Sequence, residues 1–431
     1  GRWCKSGLGV GRRNLPCGRE GARGRGAMAA AEGPEAERGP GEVNGQGGEA
    51  ASGVPAQTQT NNPFEASACR TSTSTHNASG EKESGLSWVD KLLTVWILLA
   101  VGIGIGLSQI PAVREGLQKT SIGTTNILIA IGLILMMYPP LAKVHYNWIP
   151  RLLMEYKLMV LSVVQNWLIG PLLMFFLAFA FLRGHPDYLE GVILVGCARC
   201  IAMVIVWNEF AKGDSEQCAT LVALNSILTV LLYAPYSYVL INKLLPALGV
   251  ASTEVNVSFV AVLQSVAIYL GIPFAMGLLS WILLRKWKGD EWYYQKFAKW
   301  ISPITLGALL FTIMMMFALE GYAILQKPME ILLVAAPMLL YFLIMFISSF
   351  FMAFFIECDY EKCTTVAFTA ASNNFELALA VAISVFGFGS PGAFATIIGP
   401  LVEIPVMLAL VWVALGFRKA CFKNGPWSWA A

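Results

Sequence analysis

The sequence predicts an all-α polytopic membrane protein: ten transmembrane helices as two inverted five-helix repeats, with broken helices crossing at spans 4 and 9. Three observations lead there. Of the 431 residues 56% are apolar and only 13% charged, and mean hydropathy is +0.61; soluble domains average about 45–50% and about 25%. Apolar runs long enough to cross ~30 Å of hydrocarbon recur from Trp88 onward. A single shift of 176 residues carries the first five runs onto the last five.

The chain opens differently. Residues 1–85 are rich in Gly, Ala, Ser, Thr, Glu and Arg and hold almost no apolar period, the composition of a disordered tail. Met28 begins an ordinary-looking Met-Ala-Ala-Ala, so residues 1–27 read as sequence upstream of a natural start. Their arginines mimic a transit peptide, but the acidic residues that follow weigh against one. The membrane domain covers 86–418, with repeats at about 88–245 and about 256–418, and 419–431 form a short C-terminal tail.

Spans are expected at 91–110, 124–142, 158–182, 190–210, 216–241, 258–284, 298–319, 331–356, 363–387 and 393–416. Loops on the side of the N-terminus, with the C-terminal end, carry thirteen Lys and Arg, whereas the opposite loops carry five. Lys and Arg concentrate in cytoplasmic loops. Both termini are therefore expected on the cytoplasmic face of a plasma or vacuolar membrane.

Under the shift, Cys200 falls on Glu376, Phe210 on Phe386, Gly213 on Gly389, and Ala219-Thr220 on Ala395-Thr396. An odd number of spans per repeat turns the second copy upside down, the plan of many secondary transporters. In that plan a site forms near the midplane where discontinuous helices meet, here spans 4 and 9. Prolines interrupt many other spans (Pro139-Pro140, Pro171, Pro235, Pro273, Pro303, Pro337, Pro400, Pro405). In spans 4 and 9 polar clusters take their place. Asn373-Asn374 offers partners for backbone freed by unwinding, and Gly387, Gly389 and Gly392 end span 9 in a turn.

Cys200 lies mid-run beside Arg199. A buried Cys is ordinarily a small hydrophobe, but a neighbouring cation favours thiolate and sulfur favours soft metals and metalloids. Cys197 sits on a similar helix face, either as the second thiol of a pair or idle. Glu376 is a carboxyl at bilayer depth, where burial penalises charge. It is a candidate to take up and release a proton, or a structural partner of Arg199. Glu403, between Pro400 and Pro405, is either a proton relay or a partner for the backbone those prolines free. Asn166, Asn208 and Asn225 are intramembrane amides, for which helix-to-helix bonding is the commoner role.

Other chemistries are excluded or weak. The three histidines lie in the tail (His76) and loops (His145, His185), so they build no metal cluster, proton wire or catalytic base. No phosphate loop or Walker pattern occurs, so neither a nucleotide cofactor nor an ATPase subunit is expected. The thin net charge of +3 points to no nucleic acid, and the nine cysteines lack disulfide spacing. Met314-Met-Met316 reads as packing surface, and Gly102-Ile-Gly-Ile-Gly106 as close helix packing.

At Ala198-Arg-Cys-Ile-Ala-Met-Val-Ile-Val-Trp-Asn208 and Ser372-Asn-Asn-Phe-Glu-Leu-Ala378 the sequence closely resembles the arsenical-resistance permeases. These are arsenite exporters of the bile acid/arsenite/riboflavin transporter superfamily. Gln165-Asn-Trp-Leu-Ile-Gly-Pro171, Leu221-Val-Ala-Leu-Asn225 and Gly399-Pro-Leu-Val-Glu-Ile-Pro405 match as well, and the resemblance covers about Leu86 to Arg418. It implies export of trivalent arsenite, in some members antimonite, in exchange for protons, with no cofactor. It also implies that Cys200 and Glu376 are the essential pair, supported by Arg199, Asn166, Asn225, Phe375 and Glu403. Cys197 lies outside the family motif; Asn208, Asn373 and Asn374 stand as secondary candidates. Two rivals remain: a sodium-coupled organic-anion carrier of the same fold, and an intramembrane enzyme with Cys200 as nucleophile, which lacks a histidine base.

Overall fold

The computed structural model describes residues 93–122, 125–144, 146–148, 155–250 and 257–422. The tail expected over 1–85, with His76, and the loop residue His145 lie outside the described residues. The described residues are helices joined by turns and short loops, with a two-residue ladder, Ser121–Ile122 against Thr125–Asn126, at the start of the second predicted span.

The helices, in chain order, are α1 (Leu93–Ser108), α2 (Pro111–Lys119), α3 (Ile127–Ala142), α4 (Tyr156–Leu182), α5 (Pro186–Cys197), α6 (Met203–Phe210) and α7 (Ser215–Ala247). They continue as α8 (Phe259–Lys288), α9 (Asp290–Gln326), α10 (Pro328–Phe355), α11 (Tyr360–Ala371), α12 (Phe375–Phe386) and α13 (Pro391–Cys421). Six of them, α4, α7, α8, α9, α10 and α13, are long and apolar enough to cross a membrane; α1 and α2, bent by 99°, reach that length only when counted as one broken span. Every predicted span contains helix. The two predicted as broken are broken, at 198–202 between α5 and α6 and at 372–374 between α11 and α12. Several ends run further than hydropathy indicated, among them the end of α7 and both ends of α9. Helix α9 starts at Asp290 and α13 continues to Cys421, in stretches whose Lys and Arg hide the helix from a hydropathy reading.

Local sequence explains most boundaries. Proline opens α2, α5, α10 and α13, where its missing N–H costs nothing. Asp214 accepts from Glu216 and Gln217 at the start of α7, and Ser390 from Ala393 at the start of α13, satisfying free first-turn donors. Gly387 and Gly389 hold φ of +86° and +71°, ending α12 with a backbone that side-chain-bearing residues resist.

Internal prolines leave a regular mark. The π turns Gln165–Ile169, Leu240–Leu244 and Ala267–Gly271 each stop two residues before a proline: Pro171, Pro246 and Pro273. A proline ring collides with the carbonyl four residues back, here that of Trp167, Asn242 or Tyr269. Each is the middle residue of its π turn, so the widened turn is where the collision is relieved. A fourth π turn, Tyr293–Phe297, has no such proline, and we have no physical account of it.

Helix α9 packs along α1 and α3, and α10 along α4, α11 and α13. Within Gly102-Ile-Gly-Ile-Gly106 only Gly104 is needed for close approach: a Cβ there meets the Met314 carbonyl at 2.6 Å, whereas Gly102 and Gly106 face open space. Met316 is buried and Met314 and Met315 are half-buried, all packed in the core.

Candidate functional site

The two helix breaks meet. Backbone in each is extended where it leaves the first half-helix (Ala198 φ −93°, ψ 124°; Ser372 φ −77°, ψ 138°). Arg199 and Asn373 form an antiparallel bridge. The Cys200 N–H donates to the Ser372 carbonyl at 3.4 Å and the Asn374 N–H to the Ala198 carbonyl at 3.2 Å. As one strand of the crossing advances the other retreats, so 198–374, 199–373 and 200–372 form a single antiparallel register. Cys200 therefore stands opposite Ser372 in this pairing, and Ala198 opposite Asn374. Mutual pairing satisfies peptide groups that hydrocarbon would leave bare.

Extended backbone sends successive side chains to opposite sides, which corrects one expectation. Arg199 was expected to favour thiolate at its neighbour Cys200, but its guanidinium turns the other way. It donates to the Gly196 carbonyl, to the Tyr341 hydroxyl at 2.8 Å and to the Ala370 carbonyl at 3.3 Å. The thiol it acts on is that of Cys197. Arg199 forms no ion pair with Glu376, so that structural reading falls too; its Nε is buried without a partner.

On the other side stands Cys200, 6% exposed. Its thiol stands near Ser372, Glu403 and Glu376. Ser372 donates its hydroxyl to Glu403 Oε1. Glu403 Oε2 has no partner. Glu376, 5% exposed, stands in the first turn of α12, at the positive end of that half-helix, with no side-chain partner among the described residues. Phe375 packs edge-on to Phe342 at 6.2 Å and lies flush on Gly399, where a Cβ would come within 1.7 Å of its ring.

The remaining candidates divide. Asn373 accepts from Tyr341 at 3.5 Å, and its amide nitrogen is unpartnered. Asn374 caps α12 through the Leu377 N–H and reaches the Met137 sulfur. Asn166 and Asn225 bond elsewhere: Asn166 donates to the Ser162 carbonyl one turn back, and Asn225 accepts from Trp167 Nε1 at 3.1 Å, tying α7 to α4. Asn208 accepts from Thr365 at 2.9 Å and donates to the Asp214 carbonyl, holding the end of α6 against α11. Cys197 is turned to Ser237 of α7. Sequence reasoning gave no role to Ser372, Tyr341 or Gly170. A tyrosine in mid-span is itself a signal, since its hydroxyl needs a partner there.

Apolar helices of spanning length around a sealed polar crossing define a multi-pass integral membrane protein. The model of the Sodium Bile acid symporter family matches residues 130–327, which places the chain among secondary transporters rather than enzymes. Over 346 residues it is 42% identical to the arsenical-resistance protein Acr3 of Corynebacterium glutamicum, covering 80% of this chain and 94% of that one. It is 34% identical over 362 residues to an uncharacterized transporter of Synechocystis sp. (79% and 90% covered), and 32% over 341 residues to Acr3 of Alkaliphilus metalliredigens (77% and 93%). The chain belongs to the arsenical-resistance family.

Proposed function

We propose that the protein exports trivalent arsenite from the cytosol in exchange for protons, and that it is built as ten spans in two inverted repeats with both termini cytoplasmic. The observation that carries this is the placing of the Cys200 thiol near Ser372, whose hydroxyl donates to Glu403, with Glu376 close by, at the meeting of two broken helices. Two relatives bear the name of arsenical-resistance proteins. The inverted plan is supported by element limits: the shift of 176 carries α5 onto 362–373 and α7 onto 391–423, against Tyr360–Ala371 and Pro391–Cys421.

Arsenous acid is neutral near pH 7, so membrane potential cannot expel it and a coupled ion is required. The Cys200 sulfur attacks arsenic; its proton and one arsenic hydroxyl leave as water while the S–As bond forms, and arsenic remains trivalent. Hydrolysis on the far side reverses the step. One thiol holds the metalloid firmly enough to load and loosely enough to release, as transport requires. Protonation of Glu376 from the acidic side accompanies release, and its deprotonation to the cytosol resets the site, with Glu403 as relay. Phe375 and Asn373 shape the crossing, while Arg199, Asn166 and Asn225 hold it in place. Antimonite, of like valence and softness, fits the same thiol.

The test is arsenite uptake into inverted vesicles under separately imposed proton and sodium gradients. A proton gradient should drive uptake by the wild type, with none by Cys200→Ser or Glu376→Gln. Uptake driven by sodium alone replaces this reading with the sodium-coupled carrier that the family model's name describes.

A further inference from the structure

Arg199 occupies an unusual place for a buried cation. Helix α5 ends at Cys197 and α11 at Ala371, and the last carbonyls of any helix lack partners within it. The guanidinium donates to one such carbonyl on each helix, Gly196 of α5 and Ala370 of α11. Both half-helices point their negative ends at this spot, so one cation neutralises two helix termini. No carboxylate lies within ion-pair distance of it among the described residues.

The group that fixes the guanidinium comes from outside both broken helices. Tyr341 of α10, fully buried, accepts from Arg199 and lies within hydrogen-bond reach of the Ala370 carbonyl and the Asn373 side chain. It thus touches both residues of the backbone bridge. Gly170 of α4 makes the room: a Cβ there would stand 2.9 Å from the Arg199 Nη1 and 3.2 Å from the Tyr341 hydroxyl oxygen. A phenol suits the position where a carboxylate does not. It orders the guanidinium while leaving the positive charge to the two helix ends.

We infer that Tyr341, seated against Gly170, is a positioning residue: it holds Arg199 as a double cap on α5 and α11 and so keeps the crossing, with Cys200 on its far face, closed. The inference rests on the transport reading only in taking Cys200 as the working group. Removing the phenolic hydroxyl should let the crossing open more often without unfolding the bundle.

The experiment measures alkylation of Cys200 by a neutral maleimide in the detergent-purified full chain, by peptide-resolved mass spectrometry, with no arsenite and no gradient. In Tyr341→Phe the labelling rate should rise roughly tenfold, the change that loss of one buried hydrogen bond to a charged group implies for a local opening. Arg199→Gln should raise it as well, and Tyr341→Phe should then add nothing, since it acts through Arg199. Gly170→Ala, which keeps the tyrosine but crowds the contact, repeats the test should Tyr341→Phe fail to purify as a monodisperse protein. A folded Tyr341→Phe with unchanged labelling, or an effect that adds in full to that of Arg199→Gln, overturns the inference. Because labelling needs neither substrate nor ion gradient, its failure leaves arsenite export standing, and loss of gradient-driven flux leaves the clip standing.

Discussion

The Ser372 hydroxyl donates to Glu403 and stands near the Cys200 thiol, so one serine joins α13 to the reactive face of the crossing. Removing it strands a buried carboxyl that already has one unpartnered oxygen, at a cost of about 1–3 kcal/mol. Ser372→Ala should lower the melting temperature and cut arsenite flux by roughly tenfold or more. Ser372→Thr keeps the hydroxyl and should retain most of the flux; equal loss in both variants means volume rather than the hydrogen bond sets the effect.

The two cysteines of Cys197-x-x-Cys200 face different partners, Ser237 on one side and Ser372 on the other. Cys197→Ser should therefore keep flux within about twofold of wild type while Cys200→Ser abolishes it, an asymmetry expected when only one thiol reaches the reacting atom. Comparable loss in both would mean a two-thiol site. Arsenite uptake in vesicles with matched protein content decides between them.

Much of this was legible in the sequence, and the rest was hidden for definite reasons. Polar clusters replacing prolines marked the two breaks, and the internal shift selected them as a pair. The pairing of Cys200 with Ser372 was hidden, because nothing in the sequence shows how many residues each break spends unwound or in which register the two meet. Arg199 misled because adjacency implies a shared face only in some conformations; in extended backbone it implies the reverse. Asn208, Asn166 and Asn225 bond helix to helix or within one, the commoner role that their place in apolar runs already suggested. Tyr341 was passed over because its partners come from residues distant in sequence, Arg199 above all.

Lys362, at the start of α11, pairs with Glu155 at the start of α4 at 2.6 Å, with side chains 29% and 45% exposed. Burial draws the ammonium down most, but the hydrogen bond to Glu155, the charge of that carboxylate and the smaller fields of Cys358 and Asp214 together outweigh it, so the folded value stands above that of an ordinary lysine. A raised folded value stabilises below the unfolded pKa and is lost as pH rises through the folded one. The penalty of Glu155→Gln should thus be constant from about pH 6 to 9 and fade only in strong alkali. Partly exposed pairs contribute about 0–1 kcal/mol, less in high salt. Melting temperatures of wild type and variant across pH and salt check this, and a penalty confined to acid would contradict the assignment.

Gly399 is where the smallest substitution should do most harm. A Cβ built there falls 1.7 Å from the Phe375 ring, too close for a flexible tip to yield, because the ring is itself buried against Phe342. Phe375 opens α12 and precedes Glu376, so displacing the ring moves the first turn that carries the carboxyl. Gly399→Ala should cost about 1–3 kcal/mol or more by overpacking and lose most arsenite flux. Gly102→Ala, with nothing within 4 Å of its Cβ, should melt at or above the wild-type temperature. Shortening the ring should make room: Phe375→Leu combined with Gly399→Ala should be more stable than Gly399→Ala alone, a coupling that two independent lesions do not produce. A double variant no better than the sum of its parts would show that Gly399 is required for its backbone rather than for the ring it carries.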